Sequence, residues 1–142
     1  MDGKLDLEIV TPSGPLISES VDEVVVPGAL GEMGILPGHL PIASSLKPGE
    51  IVYKSRKNKK SLAVSWGFVE VSREGKVNLL ADTAETADAI DVERAKRAKE
   101  KAEKELAKIS DTSTQEYKKN ELKLQRALVR IQVARKSGKS DT

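Results

Sequence analysis

Between Lys4 and Val10 apolar and polar residues alternate, with Leu5, Leu7 and Ile9 on one face. That is the period of a strand with one buried side. Residues 21–27, 50–54, 61–71 and 76–81 are also short and rich in Val, Ile and Leu, and each reads as a strand. Turn signals separate them: Pro12 to Pro15, Pro27-Gly28, Pro48-Gly49, Asn58 among lysines, and Glu74-Gly75. Short strands at this spacing predict a sandwich or a barrel, because a flat sheet leaves one apolar face in water. Tyr53, Trp66 and Phe68 fall in segments that read as core.

Near residue 88 the period changes. From Asp91 to Ile109 Gly and Pro vanish, and the strong helix formers Ala, Glu and Lys dominate. Ala95, Ala98, Ala102 and Leu106 recur at steps of three and four, one face of a helix. "SDTST" at 110–114 breaks the pattern. A second helix is predicted from about Gln115 to Lys136, with Leu124, Leu128 and Ile131 in line, Ala127 and Ala134 beside them, and Ser137-Gly138 as its end. Two helices joined by a short polar loop predict an antiparallel hairpin. The expected fold is an all-β sandwich over residues 1–86 followed by a C-terminal α-helical hairpin over 87–142, α+β overall. The hairpin's stripes are largely alanine. Burying a methyl yields about 0.8 kcal/mol, against about 1.5–3 kcal/mol for a Leu or Val side chain. So weak a seam reads either as a tail docked on the sandwich or as a pair that can leave its site and stay helical.

Composition narrows the chemistry. The 142 residues are 38% hydrophobic, 32% charged and 3% aromatic, which fits one domain with an appendage. No apolar run reaches the ~20 residues of a membrane span, and the N-terminus shows no signal-peptide pattern. The absence of cysteine removes disulfide and thiol chemistry and fits a cytosolic compartment. Residues 1–90 carry 9 Lys and Arg against 13 Asp and Glu, net −4; residues 91–142 carry 15 against 9, net +6. The split suggests two units and an acidic partner for the second. A single histidine, no Cys/His cluster and no phosphate-binding glycine loop leave no catalytic residue and no metal site to expect. Nucleic acid is the natural rival partner for a basic half. Its lysines, however, alternate with glutamates in "ERAKRAKEKAEKEL", as on a solvated helix. On the residues alone, a free-standing module for nucleic acid or an acidic protein stays open.

"GEMGILPGHLPI" (31–42) combines three glycines and two prolines with Met33, Ile35, Leu36, Leu40 and Ile42. It reads as a stiff loop, with Ile35, Leu36 and Ile42 turned into the core. For His39, residue type favours a turn residue that satisfies nearby backbone.

That stretch, with "LEIVTPSGPL", "LKPGEI", "WGFVEV", "VNLLADTAE" and "IDVERA" in this order, resembles the epsilon-subunit family of the bacterial F-type ATP synthase (delta in mitochondria). The resemblance runs over essentially the whole chain. It implies a non-catalytic subunit of the rotor's central stalk, peripheral to the cytoplasmic face of the bacterial membrane. The sandwich is then expected to bind the gamma subunit and the c-subunit ring, the latter through Glu32, Met33 and His39. The hairpin is expected to inhibit ATP hydrolysis when extended toward the catalytic beta and alpha subunits. No cofactor is required and no nucleic acid is implied.

Some family members bind a regulatory ATP, unhydrolysed, through an I/L-D-x-x-R-A motif, matched here by Ile90, Asp91, Arg94 and Ala95. By the same resemblance Glu85 stands at a further contact, and Arg126 and Arg130, four apart on one helical face, at phosphate ligands. Lys101 stands where an arginine occurs in known ATP-binding members. It keeps the charge but loses the bidentate fork. Read without the family, Asp91 is a helix N-cap and Ala95 a packing residue.

Overall fold

The computed structural model describes residues 3–136. Ser137 and Gly138, expected to end the second helix, lie outside them. Eight strands come first: β1 (Leu5–Thr11), β2 (Gly14–Val21), β3 (Glu23–Gly28), β4 (Gly31–Ile35), β5 (Ile42–Leu46), β6 (Gly49–Ser55), β7 (Asn58–Val71) and β8 (Lys76–Thr86). A 3-10 turn at Ala87–Ala89 leads into two helices, α1 (Val92–Ala107) and α2 (Gln115–Lys136). No described helix is long and apolar enough to cross a membrane.

The strands form a sandwich by folding one sheet over along β7. The main path runs β2-β1-β8-β7-β5-β3-β4, with β6 bridging β3 and β7. β7 is long enough to serve both layers: Asn58–Val64 pairs with β6, Gly67–Val71 pairs with β5, and β8 lies along both halves. The change of layer happens at Trp66, whose φ of 35° lies in the left-handed region that bulky residues avoid. Before it Leu62 and Val64 face the core; after it Val69 and Val71 do. One residue therefore shifts the phase of the pleat. Gly67 follows for a steric reason, since a Cβ there would lie 2.0 Å from the Leu80 carbonyl oxygen.

This phase shift overturns part of the core expected from sequence. Tyr53 is buried, but Trp66 and Phe68 are 37% and 43% exposed. The segment 31–42 is likewise not a single loop. Gly31–Ile35 pairs with β3 as β4, residues 36–41 turn, and β5 starts at Ile42. Ile35 is in the core, whereas Leu36 and Ile42, expected inside, are exposed. A two-residue turn, Ala29-Leu30, joins β3 to β4, and Gly31 follows with φ 138°, a conformation glycine supplies without strain.

The sandwich core draws on Leu5, Leu7, Ile9, Val21, Val24, Val26, Ile35, Ile51, Tyr53, Leu62, Val69 and Leu79 among others, and contains no residue of the hairpin. Asp22 fastens one corner. It pairs with Lys4 and accepts the Arg56 backbone N–H at 2.7 Å. The Lys4 hydrogen bond, then that from Arg56, holds its carboxyl below the usual range.

The helices begin where their caps stand. The Asp91 carboxylate accepts the Arg94 N–H at 3.0 Å, a cap worth about 0.5–2 kcal/mol. Thr114 Oγ1 accepts the Tyr117 N–H at 3.1 Å to start α2. Ala95 and Ala102 of α1 face Ala127 and Ile131 of α2, all buried. Leu128, expected on this seam, is 44% exposed. Val133 takes its place inside, because the buried stripe of α2 turns toward the sandwich over its last two turns. There Ala63, Ile90, Val133 and Ala134 form a second, smaller core, with Ala87, Val92 and Val129 packed at its margin. Ala63 is small enough to let the helix approach the sheet.

Candidate functional site

Glu85 and Glu50 of the sandwich each form an ion pair with the hairpin. Arg130 Nε and Nη2 donate to the Glu85 carboxylate at 2.6 and 3.2 Å, the forked geometry that makes Arg–carboxylate pairs strong. Near the end of α2, Lys136 Nζ donates to Glu50 Oε1 at 2.6 Å. The other oxygen of Glu50 is buried without a partner.

Beside the Glu85–Arg130 fork lies a cleft of about 410 Å³. Its floor is small: Ala98 and Ala102 from α1 and Ala127 from α2. Its rim carries Arg94, Lys101, Lys123, Arg126 and Arg130 against one carboxylate, Glu85. Arg94, Lys101, Lys123 and Arg126 have no ion-pair partner among the described residues. Arg94 and Lys101 are seven residues apart on α1, as are Lys123 and Arg130 on α2. Each pair spans about 10 Å of helix. The two helices are antiparallel, so the cations form two rails along an alanine trough. Asn120 closes one side, its amide donating to the Glu116 carbonyl at 3.0 Å. Such an arrangement suits an extended polyanion. Four unpaired cations at a partly enclosed junction repel one another, and multiple negative charges relieve that repulsion.

The structure brings together Glu85, Arg94, Arg126 and Arg130 from the residues singled out in the sequence. It does not bring Ile90, Asp91 or Ala95 to the cleft wall. Ile90 belongs to the small core under α2, Ala95 is fully buried between the helices, and the Asp91 carboxylate caps α1. Lys123 and Asn120 were missed. Lys123 sits three residues before Arg126 and seven before Arg130, so the same helical stripe identifies it.

At the far edge Glu32 is exposed on β4. Met33, next along the strand, points the other way and packs against the core. His39 lies in the turn, its backbone N–H donating to the Leu36 carbonyl at 3.0 Å and its Nδ1–H to the Leu40 carbonyl at 2.7 Å. Leu36 and Leu40 stand exposed around it. Among the described residues no three His, Cys, Asp or Glu side chains gather as a metal-ligand set.

Residues 4–87 match the family described as "ATP synthase, Delta/Epsilon chain, beta-sandwich domain", and residues 88–135 match "ATP synthase, Delta/Epsilon chain, long alpha-helix domain". The chain is 47% identical to ATP synthase epsilon chain 2 of Syntrophotalea carbinolica over 98% of its own length and 99% of that protein. It is 48% identical to the ATP synthase epsilon chain of Geotalea daltonii, again over 98% and 99%. Its fold is similar to a chain of the Euglena gracilis mitochondrial ATP synthase, with a TM-score of 0.76, 24% identity, and coverage of 88% of this chain and 78% of that one. A chain of the Tetrahymena thermophila mitochondrial ATP synthase central stalk and c ring gives 0.62 at 10% identity over 96% and 97%. The chain belongs to the delta/epsilon chain family of the ATP synthase, whose epsilon chains are stalk subunits and not themselves catalytic.

Proposed function

We propose that this chain is a rotor subunit of the F-type proton-translocating ATP synthase whose hairpin restrains ATP hydrolysis and whose cleft binds ATP as a regulatory ligand. The observation that carries the regulatory part is the place of the cleft. Its walls come from β8, α1 and α2 at once, so a ligand in it binds the docked hairpin and not the released one. Arg94, Arg126 and Arg130 hold the polyphosphate, joined by Lys101 and Lys123, and Glu85 takes part by orienting the Arg130 guanidinium. Asp91 acts by capping α1 and so placing Arg94; Ile90 and Ala95 act by packing the start of the same helix. When ATP is scarce the hairpin leaves the sandwich, rises along gamma, and sets its basic face against acidic surface on the catalytic beta and alpha subunits. Complementary charge there serves encounter rate and specificity.

The sandwich serves the other end of the stalk. Its core is complete without the hairpin, so residues 1–86 fold alone, bind gamma and sit on the c ring at the cytoplasmic face of the membrane. The ring-facing edge consists of Glu32 and His39 with Leu36 and Leu40, backed by Met33. Glu32 is exposed and makes no ion pair among the described residues. Glu32→Lys is therefore expected to leave the melting temperature within about 2 °C of wild type, since such surface changes cost under about 0.5 kcal/mol. It weakens assembly on the c ring or proton coupling. Unfolding by this change removes the docking assignment.

The function is tested by reconstituting the synthase with the full chain or with residues 1–86 and measuring ATP hydrolysis at low ATP. Both forms are expected to assemble and couple. Only the full chain suppresses hydrolysis. Equal hydrolysis by the two complexes refutes inhibition by the hairpin.

A further inference from the structure

We propose that the tip of the β6–β7 hairpin is a docking surface for an anionic phospholipid bilayer. Residues 1–90 carry nine Lys and Arg, and five of them fall within residues 54–60: Lys54, Arg56, Lys57, Lys59 and Lys60. The rest of that half holds 4 cations against 13 acids. All five are exposed, and none forms an ion pair among the described residues. The tip is held firmly. Ser55 pairs with Asn58, so Arg56-Lys57 is a two-residue turn. Arg56 has a φ of 59°, in the left-handed region, so a cation stands where glycine makes the turn without strain. The Asp22 carboxylate, itself paired with Lys4, accepts the Arg56 N–H at 2.7 Å, and Ser55 Oγ donates to the Ser20 carbonyl at 3.3 Å.

The form of the tip selects the partner. It has no apolar anchor of the kind that centres a stable protein interface. It has no ring on which nucleic-acid bases stack, because Tyr53, the aromatic next to it in sequence, is buried. What it offers is long cationic side chains on both faces of a narrow hairpin. That suits the diffuse negative charge of a headgroup layer, where each Lys or Arg adds about fivefold in partition. Its place in the fold agrees. Val24 pairs with Ile35 on one side and Tyr53 on the other, and Tyr53 pairs with Lys60. Those four residues form one row across β4, β3, β6 and β7. The turn at 36–41 leaves β4 just past Ile35, and the basic tip begins just past Tyr53, two strands and about 10 Å away. The tip and the turn of Leu36, His39 and Leu40 therefore leave the same end of the layer. Orientation toward a membrane rests on the ring-facing reading above; affinity for anionic lipid does not.

The full chain is sedimented with vesicles of phosphatidylcholine alone and with vesicles of equal parts phosphatidylcholine and phosphatidylglycerol. The salt is physiological, where charges more than about 8 Å from the surface are screened. The expected result is binding to the anionic vesicles only, with release in about 1 M salt. The double variant Lys57→Gln, Lys59→Gln lowers that partition at least about tenfold, since it removes two steps of about fivefold. The control Lys118→Gln, Lys119→Gln takes the same charge from exposed positions at the start of α2 and lowers it less than about twofold. Equal losses from the two double variants place the attraction in overall charge and refute the tip. A wild type that ignores the anionic vesicles refutes the lipid surface. A single-stranded oligonucleotide that binds more tightly than the vesicles at the same salt, and loses its binding at Lys57 and Lys59, makes the tip a nucleic-acid site and overturns the assignment. The vesicles contain no c ring, so the outcome is independent of the ring-facing reading, which Glu32→Lys tests.

Discussion

Replacing Arg126 with alanine is expected to lower ATP affinity by at least about tenfold while leaving the unliganded protein's melting temperature nearly unchanged. Arg126 is exposed and has no partner among the described residues, so the free fold loses little with it. In the complex it supplies charge-assisted hydrogen bonds, each worth about 1.5–3 kcal/mol, and 1.4 kcal/mol is one decade of affinity. Arg130 makes the more disruptive target, because it already holds Glu85 across the junction and its removal frees a carboxylate there. Pairing the titration with melts at zero and millimolar ATP separates binding from folding. A ligand specific for the docked state adds RT ln(1 + [L]/Kd), about 2.7 kcal/mol at a hundredfold excess. The wild type's docked state is expected to gain stability with ATP, and that of Arg126→Ala to gain less at the same concentration. A wild-type melt independent of ATP takes the nucleotide out of the mechanism and leaves "IDVERA" as a helix start.

The regular parts of this chain were legible because one period governed each. Leu5, Leu7 and Ile9 alternate, and all three are buried. The helical hairpin showed itself in a run without Gly or Pro and in the polar break before Gln115, where α2 begins. What hid β4 was its two glycines, which mark turns in isolation, and what hid β5 was its Ala43-Ser44-Ser45 run, poor in strand formers. Pairing with β3 and β7 overrides that propensity. The exposure of Phe68 could not be read at all, since it depends on the φ of one residue, Trp66, that no periodicity encodes. Leu128 and Val133 exchanged places for a similar reason. A helix that packs on a helix over one half and on a sheet over the other changes its buried face along its length. At the site, Arg126 and Arg130 were visible as neighbours four apart. Glu85 came from resemblance, and only the fold shows why it matters: β8 brings it across from Arg130.

Val133→Asp is expected to release the hairpin and to abolish its recapture by ATP, with the sandwich left folded. Val133 is fully buried among Ala63, Ile90 and Ala134, and full burial of a valine contributes about 1.5–3 kcal/mol. A carboxylate there forfeits that contribution and adds several kcal/mol of desolvation. The total exceeds the ~2.7 kcal/mol that a hundredfold excess of ATP supplies, even with every cation of the cleft intact. Val133→Ala serves as the graded control. It removes two carbons, about 1.6 kcal/mol at about 0.8 kcal/mol each, a loss that ATP outweighs. Its hairpin is expected to loosen without ligand and to dock again when ATP is added. The chain has no cysteine, so dyes can be attached at cysteines placed at Ser13 and Ser113, both exposed, to report the distance between sandwich and hairpin loop. The expected pattern is a short distance in wild type, an ATP-dependent one in Val133→Ala, and a long one in Val133→Asp at any ATP concentration. The sandwich should still melt cooperatively, because its core includes no residue of α2. In the assembled synthase the same substitution is expected to deepen inhibition of ATP hydrolysis, since a hairpin that cannot dock remains free to rise along gamma. A wild-type distance in Val133→Asp shows that the small alanine-lined core is not what holds the hairpin, and shifts that role to the Glu85–Arg130 and Glu50–Lys136 pairs.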